Sequence, residues 1–153
     1  MSAERFTLDA NVLVYAADLD SGWKHERALD ILDRASERDC VLTLQALGEF
    51  FFVTTRKGIV ANADATALVN DWLTIFPSVT NSMSALRAAM MAVMKTRLGF
   101  WDAMLLATTG EAGCSVVLSE DMRDGARFGG VTVRNPFAGD SLPKDIRDRL
   151  GLE

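Results

Sequence analysis

FWDAMLLATTGEAGCSVVLSEDMRD, residues 100–124, is the stretch whose reading decides the fold. Phe100-Trp101-Asp102 leads into Ala103-Met104-Leu105-Leu106-Ala107, which is apolar almost all round the helical wheel and so reads as a buried helix. Gly113 ends it, and Ser115-Val116-Val117-Leu118-Ser119 is a short apolar run of the kind found in parallel sheets. A helix of about eleven residues spans roughly 16 Å, nearly the length of a five-residue strand. In a βαβ unit the helix descends and the strand climbs back. Asp102 and Asp121 are therefore expected at one edge, the carboxyl end of the strands, where open α/β sheets place their sites.

The same alternation extends toward the N-terminus. Phe6-Thr7-Leu8 is a short strand aimed at Asp9, and Ala10 to Ala16 turns into a short helix that Asp9 or Asn11 could simply cap. Ser21 precedes an amphipathic helix with Ala28, Ile31, Leu32 and Ala35 on one face and His25 on the charged, exposed side. Cys40 to Leu44 is a second strand, and Gln45-Ala46-Leu47 begins a helix running to about Lys57. Glu49 lies near the start of that helix, with Gln45, Ala46, Phe52 and Val53 as its neighbours three and four residues away. A carboxylate along so apolar a stripe needs a cation or donor partner, because burying it alone costs several kcal/mol. The alternative is a favourable place near the positive end of the helix dipole. Arg56, two turns along the same face, is a candidate substrate contact or an ordinary solvated side chain.

Asn62 or Asp64 caps the next expected helix, which carries Ala65, Leu68, Val69, Trp72, Leu73 and Phe76 in its stripe and stops at Pro77. Ser78 to Thr80 is a short extended piece. Met83 to Leu98 reads as a further helix whose methionine-rich face (Met90, Met91, Met94) is read as core, with a flexible surface for a partner as the alternative. After Asp121, Gly129-Gly130 turns into a last strand, Val131-Thr132-Val133, ended by Asn135-Pro136. A polar tail follows from Phe137, with a short helix near Lys144 to Leu150. The expected architecture is α/β, a central parallel sheet flanked by helices, three layers in all.

Bulk properties narrow the chemistry. A chain of 153 residues is expected to form one domain with its own core. Cys40 and Cys114 both fall in or beside expected buried strands and read as core fillers in a reducing cytoplasm rather than a bridge. His25 is the only histidine, which argues against a Ser-His-Asp site and excludes a histidine-rich metal site. No apolar run is long enough for a membrane span, and Met1 to Arg5 does not read as a signal peptide. A net charge of -5 argues against a broadly basic nucleic-acid surface but leaves room for a local basic rim around a metal-bearing site.

Asp9, Glu49, Asp102 and Asp121 all belong to the carboxyl edge of such a sheet. Each has a bland explanation as a helix cap or first-turn acid; their coincidence does not. Two carboxylates about 4 Å apart repel by roughly 4 kcal/mol at an effective dielectric near 20. Four together need a cation or partial protonation. Oxygen ligands without histidine or thiolate suit Mg²⁺ or Mn²⁺, ions that activate water and stabilise charge on a phosphodiester.

These residues carry a resemblance. Leu8-Asp9-Ala10-Asn11-Val12-Leu13-Val14-Tyr15-Ala16, Glu49 after a short strand, Trp101-Asp102-Ala103 and Leu118-Ser119-Glu120-Asp121-Met122 are similar to the motifs of the PIN-domain family, in particular its VapC-type toxins. The resemblance spans Phe6 to Phe137 and implies a PIN-like nuclease domain over residues 1–137 with a tail at 138–153. It implies a Mg²⁺- or Mn²⁺-dependent endoribonuclease in which Asp9, Glu49, Asp102 and Asp121 are the catalytic, metal-binding acids. Asn11 and Ser119 match the supporting polar positions. Glu120 is an extra acid with no assigned role. It also implies a homodimer inhibited by a small antitoxin, acting on RNA.

Competing readings are a housekeeping RNA-processing nuclease of the same family, an aspartyl-nucleophile phosphatase, a receiver-like phosphoacceptor, and a non-enzymatic α/β binding module. The phosphatase usually needs a second acid two residues after the first, and position 11 is Asn. The receiver-like opening pair and later lysine are not evident. A binding module whose acids merely cap helices would take up no divalent metal.

Overall fold

The computed structural model describes residues 4–152. In chain order the elements are β1 (Phe6–Leu8), α1 (Ala10–Ala17), a 3-10 turn (Leu19–Ser21), α2 (Trp23–Ala35), β2 (Leu42–Thr43), α3 (Leu44–Arg56), α4 (Asn62–Ile75), β3 (Ser78–Val79), α5 (Met83–Lys95), α6 (Phe100–Glu111), β4 (Val116–Leu118), β5 (Arg127–Phe128), β6 (Val131–Arg134) and α7 (Lys144–Leu150). Residues 1–3, part of the segment read as lacking a signal peptide, lie outside the described residues, as does Glu153.

The main sheet has the order β1-β4-β6-β5, with β1, β4 and β6 parallel and β5 antiparallel to β6. β2 and β3 form a second parallel pair. A parallel bridge between Phe6 and Cys40, with Val41 N donating to Phe6 O at 3.1 Å, sets that pair beside the free edge of β1. Together with the flanking helices this is the expected three-layer α/β/α architecture.

Helix α6 sits at the centre. Ala103 to Thr109 are all buried. One side meets the alanine face of α5 (Ala85, Ala89, Ala92), and another meets β4 and β6 through Leu105, Leu106, Val117, Val131 and Val133. The second and larger core joins β1, α1, α2, α3 and α4 through Phe6, Leu13, Ile31, Phe50 and Trp72. Phe137, Ile146 and Leu150 from the C-terminal segment are buried in that same core.

Several details differ from expectation. Ser21 precedes helix α2 from within the 3-10 turn, and Gly22 between them is the N-cap, in a conformation (φ 63, ψ -129) that only glycine adopts readily. Regular strand pairing in β2 is confined to Leu42–Thr43, because the Thr43 hydroxyl accepts from Ala46 N at 3.0 Å and starts α3 at once. Helix α4 begins after Ala61, with Asn62 as its first helical residue and no side-chain cap. Helix α5 stops at Lys95, where the Thr96 hydroxyl donates to Ala92 O and accepts from Leu98 N. The methionines are not core: Met90 and Met91 are about half exposed and Met94 is 81% exposed. Alanines take the buried face instead, since close approach of two helices needs small side chains at the contact. His25 is half-buried, its Nδ1 at 2.9 Å from Tyr15 O. Both cysteines are buried and free, as expected.

Candidate metal and nuclease site

The sheet register brings the first acid to its place. Leu8 lies opposite Leu118 on the parallel strand β4, and Asp9 N donates to Leu118 O at 2.9 Å. One residue past each strand end, Asp9 and Ser119 therefore face each other, both buried. Ser119 Oγ donates to Asp9 Oδ2 at 2.7 Å, and Ala10 N donates to Asp9 Oδ1 at 2.7 Å. Asn11 completes the frame. Its amide nitrogen reaches Ser119 Oγ at 3.2 Å and Asp9 Oδ2 at 3.4 Å, while its Oδ1 accepts from Glu120 N at 3.1 Å. Asp121 N donates to Ser119 Oγ at 3.2 Å, which ties the loop after β4 to the same hydroxyl.

Asp9 is thus the N-cap of α1 and a buried acid at once. Desolvation is the main reason its carboxyl is raised from 3.8 to about 6, against the lowering effect of the Ser119 and Ala10 donors. Glu49 and Asp121 push it further in the same direction, which places both carboxylates within electrostatic reach of Asp9. Asp102 lies in the first turn of α6, half-buried, and is also raised, by burial first and by Asp121 second. Glu49 is half-buried on α3.

The four acids form an electrostatic chain, Glu49 to Asp9 to Asp121 to Asp102, although among the described residues no three acidic, histidine or cysteine side chains form a ready-made metal cage. No helix follows Asp121, so neither it nor Ser119 is a helix cap. Arg56 is exposed, with its guanidinium 5.5 Å from the Phe52 ring centroid.

Two features escaped sequence reasoning. Gln45 Nε2 donates to Glu49 Oε1 at 3.1 Å and to Trp101 O at 2.9 Å, bridging α3 to the start of α6. Those two acceptors fix its orientation, and its Oε1 is buried without a hydrogen-bond partner among the described residues. The spacing of four between Gln45 and Glu49 was the visible signal. Glu120 is not a spare ligand: Lys24 Nζ pairs with its Oε2 at 2.6 Å and Tyr15 OH donates to its Oε1. That pairing anchors the loop after β4 to α1 and α2.

The donor set is acidic oxygen throughout, the type preferred by Mg²⁺ and Mn²⁺. Mg²⁺ is commonly held by one or two carboxylates, several waters and a substrate phosphate rather than by an all-protein cage. The open acid chain, the raised Asp9 and the orphaned Gln45 oxygen fit that mode.

The PIN domain family model matches residues 6–127. Comparison with curated proteins finds no match. Among solved structures, the chain is similar to the Mycobacterium tuberculosis VapC20, a sarcin-ricin-loop-cleaving toxin (TM-score 0.62, 16% identity, 76% of this chain and 89% of that one). It is likewise similar to DNA-bound VapBC from Salmonella typhimurium (TM-score 0.61, 18% identity, 86% and 97%). A toxin–antitoxin complex from Klebsiella pneumoniae is a third (TM-score 0.59, 21% identity, 86% and 96%). At these identities the likeness is one of fold.

Proposed function

This chain belongs to the PIN domain family, and from that premise we propose that it is a Mg²⁺- or Mn²⁺-dependent endoribonuclease, the toxin of a VapBC-type toxin–antitoxin pair. The observation that carries the reading is Asp9, buried at the end of β1, locked by Ser119 and Ala10, and raised to about 6 among further acids. A purely structural cap gains nothing from being surrounded by Glu49 and Asp121. An acid that shares a cation does.

In this reading Asp9, Glu49, Asp102 and Asp121 hold the ion. When bound, it supplies the positive charge that activates a water and stabilises the phosphodiester's developing charge. The chain's own work is positioning. Ser119 Oγ and Ala10 N fix the two oxygens of the Asp9 carboxylate, and Asn11 locks the Ser119 hydroxyl and the Glu120 backbone together. Gln45 holds Glu49 against the first turn of α6.

The partners are an RNA substrate, a small antitoxin and a second copy of the chain. The antitoxin rests on the VapBC complexes among the fold relatives. The proposed site of action is the cytoplasm; no helix among the described residues is long and apolar enough to cross a membrane. The test is cleavage of a mixed RNA pool by the purified chain with Mn²⁺ or Mg²⁺. Cleavage is expected to stop with chelator and with Asp9→Asn or Asp102→Asn. Cleavage that persists in chelator, or no cleavage with either ion, would overturn the reading.

A further inference from the structure

A chain of net charge -5 that presents an acidic rim must still hold a polyanion there. Beside Asp102 and Asp121 opens a cavity of about 380 Å³ whose lining includes Arg97, Arg123 and Arg127. Its floor is apolar, with Leu106, Met122 and Val133 all buried. The three arginines are exposed, and none is in an ion pair among the described residues, even with Asp102 and Asp121 in the same lining. Arginines meant only to balance the site's acids would be paired with them.

The loop carrying Arg123 is held firmly. Gly125 N donates to Val133 O at 2.7 Å, Val133 N donates to Ala126 O at 2.8 Å, and Asp124 pairs with Arg134 at 2.6 Å. Arg134 is in turn held by Asp145 of α7 at 2.8 Å. Arg127 stands on β5, and Arg97 on the link between α5 and α6. The braced loop, strand β5 and the α5–α6 link thus bring three arginines around one hollow.

We propose that this cavity is a nucleotide subsite of the RNA strand, with Arg97, Arg123 and Arg127 taking the phosphate next to the scissile one and the apolar floor taking its ribose or base. The inference rests on the nuclease reading. With a phosphodiester placed at Asp102 and Asp121, the adjoining nucleotide has to enter the adjoining space, and this cavity is continuous with the rim. Guanidiniums suit phosphate because their fork of donors matches its oxygens.

The test separates binding from cleavage. Fluorescence anisotropy reads the affinity of the Asp9→Asn chain for a mixed-sequence single-stranded RNA oligonucleotide in chelator, across a salt series. Adding Arg123→Ala and Arg127→Ala is expected to weaken binding roughly ten-fold, the effect of removing a charge-assisted hydrogen bond at an exposed site. The slope of log affinity against log salt should become shallower by roughly 0.7 for each phosphate that is no longer neutralised. Arg34→Ala, which removes one arginine from the far helix α2, should leave both unchanged. Arg123→Lys with Arg127→Lys should keep the slope, which guards against a folding artefact in the alanine variant.

Unchanged RNA affinity and slope in the alanine variant, while the otherwise wild-type chain still cuts RNA, would overturn the subsite and leave the nuclease reading standing. Full RNA binding together with abolished binding of an acidic protein partner would also overturn it, assigning the cavity to a peptide. A wild-type chain that neither binds nor cuts RNA would fail the nuclease reading itself.

Discussion

Asp9→Asn should make the metal-free protein more stable at pH 8, although the residue it removes is buried, hydrogen-bonded and a helix cap. Carrying a carboxyl from 3.8 to about 6 corresponds to roughly 3 kcal/mol, at about 1.4 kcal/mol per pH unit. The sign follows from proton binding. The folded chain holds the Asp9 proton more tightly than the unfolded chain, so ionising Asp9 works against folding. Stability from this group is therefore present below about pH 4 and is lost as pH rises through about 6. Asparagine is neutral and escapes that cost. Its oxygen can still accept from Ala10 N, but its NH₂ would face Ser119 Oγ, which now donates to Asp9 and accepts from Asn11 and Asp121. Turning that hydroxyl round costs about 1 kcal/mol. The net expectation at pH 8 is a gain of roughly 1–2 kcal/mol, reversed to a loss of about 1 kcal/mol near pH 4.

Urea unfolding of both proteins in chelator, from pH 4 to pH 8, measures it. The difference between them isolates Asp9, because groups such as the lowered Glu111 and Asp145 cancel. A difference that stays flat across that window, or a variant less stable than the wild type at pH 8, would refute the account of Asp9 as an acid ionised at the expense of folding.

Saturating Mn²⁺ should stabilise the wild type by about 2.7 kcal/mol at a hundred times Kd and leave Asp9→Asn nearly unmoved, as followed by thermal melting. Ser119→Ala should cost roughly 1–3 kcal/mol, because it removes the shortest donor to the Asp9 Oδ2 atom, leaving it only the 3.4 Å contact with Asn11, and takes away the acceptor of the Asp121 N–H. It should also raise Asp9 above about 6, read by carbon NMR of the carboxyl. Ala89→Leu should destabilise by about 1–3 kcal/mol through overpacking against α6, whereas Met94→Ser should change stability by no more than about 0.5 kcal/mol.

The sheet was legible because its strands are apolar runs too short for anything else and are separated by helices with clear stripes. Val116-Val117-Leu118 between a buried helix and a glycine-marked hairpin leaves little choice of topology. Strand β5 was not legible: two residues, Arg127 and Phe128, carry no period, and only pairing with β6 defines them. The face of α5 was misread for a different reason. Its sequence holds two stripes, Ala85-Ala89-Ala92 and the larger Leu86-Met90-Val93. Hydrophobicity favours the second. Helix α6 comes too close for it, and contact distance overrules transfer free energy.

The site shows a limit of another kind. From sequence, a helix cap and a functional acid are rival explanations of Asp9, and each aspartate could be argued singly into the first. Geometry removes the rivalry. The strand end that delivers Asp9 to the rim also obliges α1 to begin there, so the cap is the means by which the backbone fixes the carboxylate. What capping leaves unexplained is the company it keeps. One oxygen bonded to Ala10 N would satisfy α1; the other is turned to Ser119 and Asn11, and Glu49 and Asp121 both act on the same carboxyl. The Ser119 hydroxyl binds both Asp9 and the backbone of Asp121, so moving one acid moves the other. Acids coupled through a shared buried hydroxyl are positioned as a set, which a helix cap alone does not require.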